Sequence, residues 1–380
     1  METSMSIAGV ARKIAVVGSG ISGAVCASTL ARNGISVTVF ESGRGPGGRM
    51  SQRRETMEDG KELLFDHGAP CFTLSNATDV MSLVREWESR GLVAEWKVKF
   101  GSFDCLTNNF VDAEQEALKK RYVGVPGMNS ICRSLCSEPG VECKFGVGVG
   151  KIEWLEKENL WRVMGLDGTN HGQFGGVLAS DKNVVSSRFT NVTGRPPPLD
   201  LSPMPSLSVK VRDIPVSPCF ALMLAFAEPL SSVPVKGFTF RNSKVLSWAH
   251  CDSSKPGRST SSERWVLHST REYAERIIAE TGLTKPSQTT LTRVAEELFR
   301  ELQSTRLDIP QPFFMKAHRW PIHRGSAFPL TSVAGEEKCL WDGTKKLAIC
   351  GDFCVSPNVE GAIISGLAAA SRFTETLSCL

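Results

Sequence analysis

One stretch near the N-terminus decides the fold: Ile14-Ala15-Val16-Val17-Gly18-Ser19-Gly20-Ile21-Ser22-Gly23. Its four apolar residues predict a buried strand, and the G-x-G-x-x-G pattern predicts the turn from that strand into a helix. We expect Gly18 to permit the tight turn, Gly20 to let the backbone approach a pyrophosphate, and Gly23 to let the helix pack against the sheet. Ile21 and Ser22 begin the helix, whose N-terminal N–H groups and dipole favour a phosphate group.

An acidic residue ends the next predicted strand. This strand is Val37–Phe40, and Glu41 follows it directly. A carboxylate at this point can accept hydrogen bonds from both hydroxyls of a ribose, and it disfavours a 2′-phosphate. The order of strand, glycine turn, helix, strand and acid therefore predicts a dinucleotide site for an unphosphorylated ribose.

Two further segments distinguish between dinucleotides. Residues 42–50 are rich in glycine, which again lets backbone approach phosphate, and their arginine can pair with phosphate through its planar guanidinium. Gly68, Ala69 and Pro70 form a segment of small residues that can lie flat against a planar ring. A site for NAD alone needs neither segment, so FAD is the predicted cofactor. From the first segment we predict as cofactor-binding Ser42, Gly47, Gly48, Arg49 and Met50.

Composition excludes several classes of function. The 380-residue chain is 41% hydrophobic and 22% charged, which is ordinary for a soluble globular protein of one large or two smaller domains. A net charge of +4 without a long basic run does not suggest nucleic-acid or membrane-surface binding, and the longest apolar run is too short to span a membrane. The 12 cysteines include no C-x-x-C pair, so we expect reduced thiols and no metal site. We expect a cytoplasmic protein, with plastid or peroxisome as alternatives.

The hydrophobic pattern predicts an α/β chain of two domains. The first is a Rossmann-type FAD-binding domain assembled from residues 11–75, 124–190 and 335–380. The second is an α+β substrate domain of mixed sheet and helices, made of residues 76–123 and 200–334. Residues 191–218, rich in proline and serine, are predicted as a linker or long loop. Helices are predicted near 79–87, within 124–136 and over about 290–303, and buried strands include 219–227 and 264–268.

The motifs resemble the renalase-like FAD-dependent oxidoreductases of plants and bacteria, within the amine-oxidase and para-hydroxybenzoate-hydroxylase group of flavoproteins, also known as the GR2 type. The resemblance spans nearly the whole chain. It is carried, in order, by Gly45–Met50, Phe65–Ala69, Tyr122–Met128, Ser254–Arg258, Trp265–Thr270, Ala317–Trp320, Gly351-Asp352 and Val359–Ala362. The chain differs from shorter members of this family in its long 191–218 segment and a serine-rich region at 231–262.

This resemblance implies further roles in FAD binding. Val149 would hold the adenine edge through its backbone, and Gly351 with Asp352 would contact the ribityl or pyrophosphate region. A helix that begins with Val359, Glu360, Gly361 and Ala362 would direct its N-terminus at the N1–C2=O edge of the flavin, where the helix dipole stabilises negative charge. No cysteine or histidine has a context diagnostic of covalent attachment, so non-covalent FAD is expected.

The resemblance also implies an activity. Hydride would pass from a dihydronicotinamide-type substrate to flavin N5, and O2 would reoxidise the flavin to give H2O2. The predicted catalytic residues are His318, Arg319 and Trp320; in a strand, the first and third share a face and Arg319 faces the other way. The roles of four more residues stay open: Lys255, Arg258, His323 and Arg324.

Two alternatives to this activity remain. One is an amine or polyamine oxidase, or a desaturase-like flavoenzyme, with Lys316 or Lys255 as the lysine that amine oxidases place near N5. The other is an FAD-binding sensor or scaffold without turnover. The substrate would be a small molecule in either enzyme. The sequence leaves the oligomeric state open.

Overall fold

The structure is a computed structural model, and it describes residues 10–75, 77–111, 119–186, 189–190, 193–212, 214–320, 328–329 and 332–378. The strands are β1 Lys13–Val17, β2 Ser36–Glu41, β3 Gln52–Thr56, β4 Glu62–Asp66, β5 Val93–Glu95, β6 Phe100–Asp104, β7 Asn109–Val111, β8 Tyr122–Gly124, β9 Val141–Phe145, β10 Val149–Leu155, β11 Leu160–Gly165, β12 Asn170–Phe174, β13 Gly176–Ala179, β14 Val216–Ser217, β15 Cys219–Phe226, β16 Gly237–Arg241, β17 Leu246–Cys251, β18 Glu263–Ser269, β19 Phe314–Trp320, β20 Phe328–Pro329, β21 Leu340–Asp342 and β22 Leu347–Ile349. The helices are α1 Ile21–Arg32, α2 Thr78–Ser89, α3 Asn129–Cys136, α4 Pro205–Val211, α5 Arg271–Thr281, α6 Gln288–Gln303, α7 Asp352–Val355 and α8 Val359–Ser378.

The backbone packs as two units. The first comprises Met1–Arg49, Ile131–Val216 and His323–Leu380, and the second comprises Met50–Ser130 and Ser217–Ile322. Residues 50–75, which we predicted with the cofactor domain, pack in the second unit. The two units are defined by how the backbone packs. Which segments bind the cofactor stays a prediction.

A six-stranded sheet forms the centre of the first unit, in the order β21-β22-β13-β1-β2-β9. All neighbouring strands pair in parallel except β21, which runs antiparallel to β22. Its inner strands β1, β13 and β22 are apolar because both of their faces are covered, and the four residues Ile14–Val17 are buried. Helix α8 packs closely on α1, since a Cβ at Gly366 would lie 2.4 Å from the Ser22 carbonyl oxygen. The Rossmann-type α/β prediction is confirmed.

The second unit contains a seven-stranded mixed sheet, in the order β19-β15-β18-β17-β16-β6-β7. Only β16 and β6 pair in parallel. Strand β15 lies between β19 and β18 and is buried throughout, as its uninterrupted apolar sequence predicts. Helices α5 and α6 contribute apolar faces to the same core, including Ile277 and Leu298. The predicted α+β character of this region is confirmed.

Two helices depart from the predictions. Within the segment predicted as a linker or loop, Pro205–Val211 forms α4, which starts with proline at its first position and buries Leu207 and Val211 one turn apart. Helix α5 was not predicted; Thr270 caps it by accepting a hydrogen bond from the Tyr273 N–H at 3.2 Å. In both cases a short amphipathic pattern becomes helical because its apolar face is buried. Within the described ranges, no helix is long and apolar enough to cross a membrane.

Candidate functional site

The glycine turn between β1 and α1 has the geometry that its sequence predicts. Gly18 has φ +102°, and its N–H donates to the Phe40 carbonyl at 2.9 Å. A Cβ at Gly23 would lie 2.2 Å from the Gly18 carbonyl oxygen, so the helix packs against the turn at a distance that only glycine allows. A Cβ at Gly20 would meet no atom of the described residues within 4 Å. The need for glycine at positions 18 and 23 is therefore explained by the protein's own backbone geometry and packing. Gly20, in contrast, borders open space.

Glu41 lies beside this turn because β2 is the parallel neighbour of β1. Its carboxylate accepts hydrogen bonds from the N–H of Ser19 at 3.1 Å, the hydroxyl of Ser19 at 2.5 Å and the N–H of Gly43 at 2.6 Å. The carboxylate is thereby fixed at the carboxyl end of the sheet, where ligands bind in open α/β folds.

The second glycine segment lies against the first. The N–H of Gly47 donates to the Ser19 carbonyl at 3.0 Å, and Gly20 and Gly47 form a parallel bridge. Gly48 has φ +53°, and a Cβ there would lie 3.3 Å from the Gly20 Cα. Two glycine-lined backbones thus run side by side at the N-terminus of one helix. Ser42, in the connection between them, is exposed.

Arg49 engages Asp352 across 303 residues of sequence. Its two terminal nitrogens donate to the two carboxylate oxygens at 2.5 and 2.6 Å, a bidentate pair. The Asp352 side chain is only 2% exposed, while that of Arg49 is 22% exposed. Burial lowers the pKa of Arg49, but Asp352 raises it by more, so the guanidinium stays charged. Both residues were predicted as cofactor-binding separately; the structure shows them bound to each other.

Helix α8 begins at Val359, where the family resemblance implies it. Asn358 caps this end by accepting the Gly361 N–H at 2.7 Å. Gly351 precedes α7 with φ +153°, and its N–H donates to the Ser365 hydroxyl at 3.0 Å. Glu360 and Ala362 lie in the buried first turn of the helix. Val149 is the first residue of β10 and is buried.

Sequence reasoning missed Asp181, which follows the carboxyl end of β13. Its carboxylate accepts the Asn183 N–H at 2.9 Å. Burial is the main reason that the pKa of Asp181 is raised to about 6; Glu41 acts in the same direction, while the Asn183 N–H, Lys182 and Arg49 act against it. The predicted buried strand that ends at Ala179 could have indicated Asp181 as a site residue. Residues that follow the carboxyl ends of parallel strands lie at the edge of the sheet where ligands bind in α/β folds.

The second unit brings an aromatic cluster together around His67. The His67 ring stacks on Trp320 with centroids 4.4 Å apart, and His318 meets it edge-on at 4.8 Å. The carbonyl of His67 accepts the Trp320 indole N–H at 2.8 Å and lies 2.9 Å from Nε2 of His268. Nδ1 of His67 is buried without a partner among the described residues. His318 and Trp320 share one face of β19, as the strand period predicts.

All three imidazoles of this cluster are neutral near pH 7. Burial lowers the pKa of His67 well below its usual value, and His318 and Arg53 lower it further. Burial likewise lowers the pKa of His268 to about 4, and that of His318 to about 4 with a contribution from Arg53. A neutral imidazole can donate at one nitrogen and accept at the other, so the cluster offers hydrogen bonds without charge.

Arg319 is on the opposite face of β19 from this cluster. Its guanidinium donates to the carbonyls of Gly282 at 3.1 Å and Leu283 at 2.8 Å, and also to that of Thr284. These carbonyls follow the C-terminus of α5, where a cation is stabilised by the helix dipole. The three residues predicted as catalytic are therefore not brought together: His318 and Trp320 are adjacent, and Arg319 is turned away because successive strand residues alternate.

The two lysines considered for amine oxidation are both ion-paired. Lys316 contacts Glu55 at 2.7 Å and is one-third exposed. Lys255 is fully buried and contacts both Asp66 at 3.0 Å and Asp252 at 2.8 Å.

Arg258 completes a buried charge cluster with these residues. It pairs with Asp66, and its side chain is 3% exposed. Asp66 also accepts the Met128 N–H at 3.2 Å, which ties the end of β4 to the turn after β8. The sequence left the roles of Lys255 and Arg258 open. In the structure both side chains are buried and paired with carboxylates.

The remaining predicted residues lie as follows. Met50 and Gly68 are buried in the second unit, and Ala69 and Pro70 are half-buried after β4. Their predicted contact with FAD stays a prediction. His323 and Arg324 lie outside the described residues. Among the described residues no group of three or more histidine, cysteine or carboxylate side chains could hold a metal ion.

Comparison with known proteins supports this architecture. Residues 16–87 match the family model of the NAD(P)-binding Rossmann-like domain. The provisionally named protoporphyrinogen oxidase of Exiguobacterium sp. 255-15 superposes with a TM-score of 0.64 at 12% identity, covering 96% of this chain and 99% of the other. A putrescine oxidase bound to putrescine superposes with a TM-score of 0.63 at 13% identity, covering 95% and 98%. A triple mutant of putrescine oxidase gives 0.62 at 14% identity, covering 97% and 99%. At these identities the likeness shows a shared fold.

Proposed function

We propose that this chain is an FAD-dependent oxidoreductase that holds its cofactor non-covalently. The observation that carries the proposal is the pair of glycine-lined backbones at the N-terminus of α1, with the Glu41 carboxylate fixed beside them. The space at Gly20 that a Cβ would enter without contact fits a diphosphate group. A single glycine turn would serve NAD equally well; the second segment, ending in Arg49, favours FAD.

The roles follow from this fit. The N–H groups at the start of α1 would bind the pyrophosphate, and Glu41 would accept the ribose hydroxyls in exchange for its contacts with Ser19. The start of α8 would stabilise negative charge through its dipole. Bound FAD would supply a hydride acceptor at N5 and pass electrons to O2, giving H2O2. Arg49 and Asp352 would orient each other and keep the local charge balanced.

For the substrate we propose a dihydronicotinamide-type compound. The aromatic cluster in the second unit supports this, because the half-buried His318 offers a flat ring and uncharged hydrogen-bonding nitrogens, and the buried Trp320 packs edge-on against it. Such a surface suits a neutral heteroaromatic ring with an amide. Hydride donation requires orientation rather than a general base, so the low pKa of His318 is compatible with this role.

Amine or polyamine oxidation, or a desaturase-like reaction, is the second candidate, and its support is the fold shared with putrescine oxidase. The ion pairs of Lys316 and Lys255 count against it, since each ammonium is held by at least one carboxylate. A sensor or scaffold that binds FAD without turnover is the third candidate. It differs from the others in that no donor would reduce its flavin.

Anaerobic flavin reduction separates these candidates. The holoprotein is mixed in turn with β-NADH, isomeric dihydronicotinamides and putrescine, and the visible flavin absorbance is followed. We expect bleaching by a dihydronicotinamide and not by putrescine, with catalase-sensitive O2 uptake once air is admitted. Bleaching by putrescine alone would establish the second candidate, and no bleaching by any donor would favour the third.

Two variants on one face of β19 sharpen the test. His318→Ala is expected to slow flavin reduction at least tenfold, which corresponds to about 1.4 kcal/mol. Lys316→Met, two residues away, is the matched control and is expected to reduce at the wild-type rate. The reverse result, a slow Lys316→Met and an unchanged His318→Ala, would overturn the assignment of this face.

A further inference from the structure

Two thiols meet at the edge of the first unit's sheet. Cys136 is the last residue of α3, and Cys143 is the middle residue of β9, the edge strand. Sγ of Cys143 lies 3.4 Å from the carbonyl oxygen of Cys136. Both are free thiols, and the function proposed above uses neither.

The turn between these cysteines is held firmly. Glu138 accepts two hydrogen bonds from Arg32, at 2.7 and 2.6 Å, and one from the Ser28 hydroxyl at 2.8 Å. The Gly140 carbonyl accepts the Val37 N–H at 3.0 Å. Both contacts anchor the turn to α1 and β2, so the two thiols are kept close without any help from a cross-link. Little conformational entropy would remain to be lost on joining them.

The two thiols differ in accessibility. Cys136 is 5% exposed, while Cys143 is half-buried on β9, which is an edge strand of its sheet within the part of the chain that the structure describes. A hydrogen bond from the Cys136 thiol lowers the pKa of Cys143, whereas burial and the carboxylates of Glu142 and Glu41 raise it. Because Cys143 is the less buried of the two residues, it is the one that a peroxide reaches first, and its ionised sulfur is the nucleophile in thiol oxidation.

We propose that Cys136 and Cys143 form a peroxide-responsive dithiol. The Cys143 thiolate attacks one oxygen of the peroxide, the O–O bond breaks, and with one proton the products are a sulfenic acid and water. The Cys136 thiol then displaces hydroxide from that sulfur, forming the S–S bond and a second water. Two thiols are oxidised and one H2O2 is reduced, which balances the reaction.

The other cysteines near this pair do not share its features. Cys132 lies one helical turn before Cys136 on α3 and is fully buried, as is Cys26 on α1. Burial raises the pKa of Cys132 to about 12 and that of Cys26 further still. Among the described cysteines near this site, the pair Cys136–Cys143 thus combines proximity with one residue that is only half-buried. The proposal concerns the response to peroxide and holds whether or not this chain produces peroxide itself.

The sequence makes the product easy to detect. Trypsin cleaves after Arg133 and after Lys144, so both cysteines fall on the single peptide 134–144. The full-length holoprotein is treated with equimolar H2O2, its remaining thiols are alkylated, and the digest is measured by mass spectrometry. We expect this peptide to appear without alkyl groups and lighter by two hydrogen atoms, and to regain two alkylated thiols after reduction.

Two variants check the roles. In Cys136→Ser the Cys143 sulfenic acid has no resolving thiol, so a sulfenic-acid probe should label peptide 134–144 stoichiometrically. In Cys132→Ser, the matched control from the same helix, the disulfide should form as in wild type. The proposal is overturned if peptide 134–144 keeps both thiols while Cys71 or Cys105 is oxidised, or if Cys132→Ser prevents closure.

Discussion

Replacing Gly20 by alanine tests whether its open space serves a cofactor. Gly20 has φ −64° and ψ 171°, values that alanine adopts without strain, and its added Cβ would touch no atom within 4 Å. Gly23 provides the contrast: its Cβ would lie 2.2 Å from the Gly18 carbonyl oxygen and 2.6 Å from Oγ of Ser180. The two substitutions are chemically identical and three residues apart.

The magnitudes follow from these surroundings. For Gly20→Ala, the unfolded chain loses entropy worth about 0.4–1 kcal/mol, and a poorer helix N-cap offsets a similar amount, so the free energy of unfolding should change by less than about 0.5 kcal/mol. A methyl group between the backbone and a pyrophosphate should weaken FAD binding at least tenfold, or about 1.4 kcal/mol. For Gly23→Ala, the clash with backbone should cost about 3 kcal/mol of stability.

Two measurements on each variant check this reasoning. Urea denaturation of the apoprotein reports the free energy of unfolding, and titration of the apoprotein with FAD, followed by flavin fluorescence, reports the dissociation constant. The expected pattern is a stable Gly20→Ala that binds FAD poorly and a destabilised Gly23→Ala. An FAD affinity of Gly20→Ala within twofold of wild type would refute the assignment of this turn to the pyrophosphate.

Three further predictions concern ionisable side chains. Asp352→Asn leaves the 22%-exposed guanidinium of Arg49 without its carboxylate, and should lower the free energy of unfolding by about 2 kcal/mol in urea denaturation; no change would mean that the pair contributes nothing. Arg319→Met removes donors from three carbonyls beyond α5, and should cost about 2 kcal/mol of stability while the rate of flavin reduction stays unchanged; a folded variant that fails to reduce flavin would restore a catalytic role. His268 and His318 have pKa values of about 4 when folded against an ordinary 6.5, so the unfolded state binds more protons between these values. Each should therefore lower stability by about 1.4 kcal/mol per pH unit as pH falls from 6.5 towards 4, and His268→Gln should flatten this slope; an equal slope in the variant would contradict the burial argument.

Local patterns sufficed for the elements that frame the candidate site. The turn at Gly18 was predicted because a helix terminus depends on residues close in sequence, and the start of α8 at Val359 was implied by the family resemblance. The alternation of His318 and Arg319 across β19 was predicted because the strand period is fixed by the backbone. Helix α5 was not predicted, since its short amphipathic pattern is helical only when its face is buried.

The sequence by itself determined the class of fold, the dinucleotide fingerprint and the strand faces, because each depends on spacing within one or two elements. Only the tertiary structure decided which charged groups meet. Arg49 finds Asp352 across 303 residues, and Lys255 is neutralised by Asp66 and Asp252. The alignment of strand ends likewise brought Asp181 to the ligand edge. A charge in the sequence has no partner until the chain is folded, and its partner decides whether it is available to a ligand.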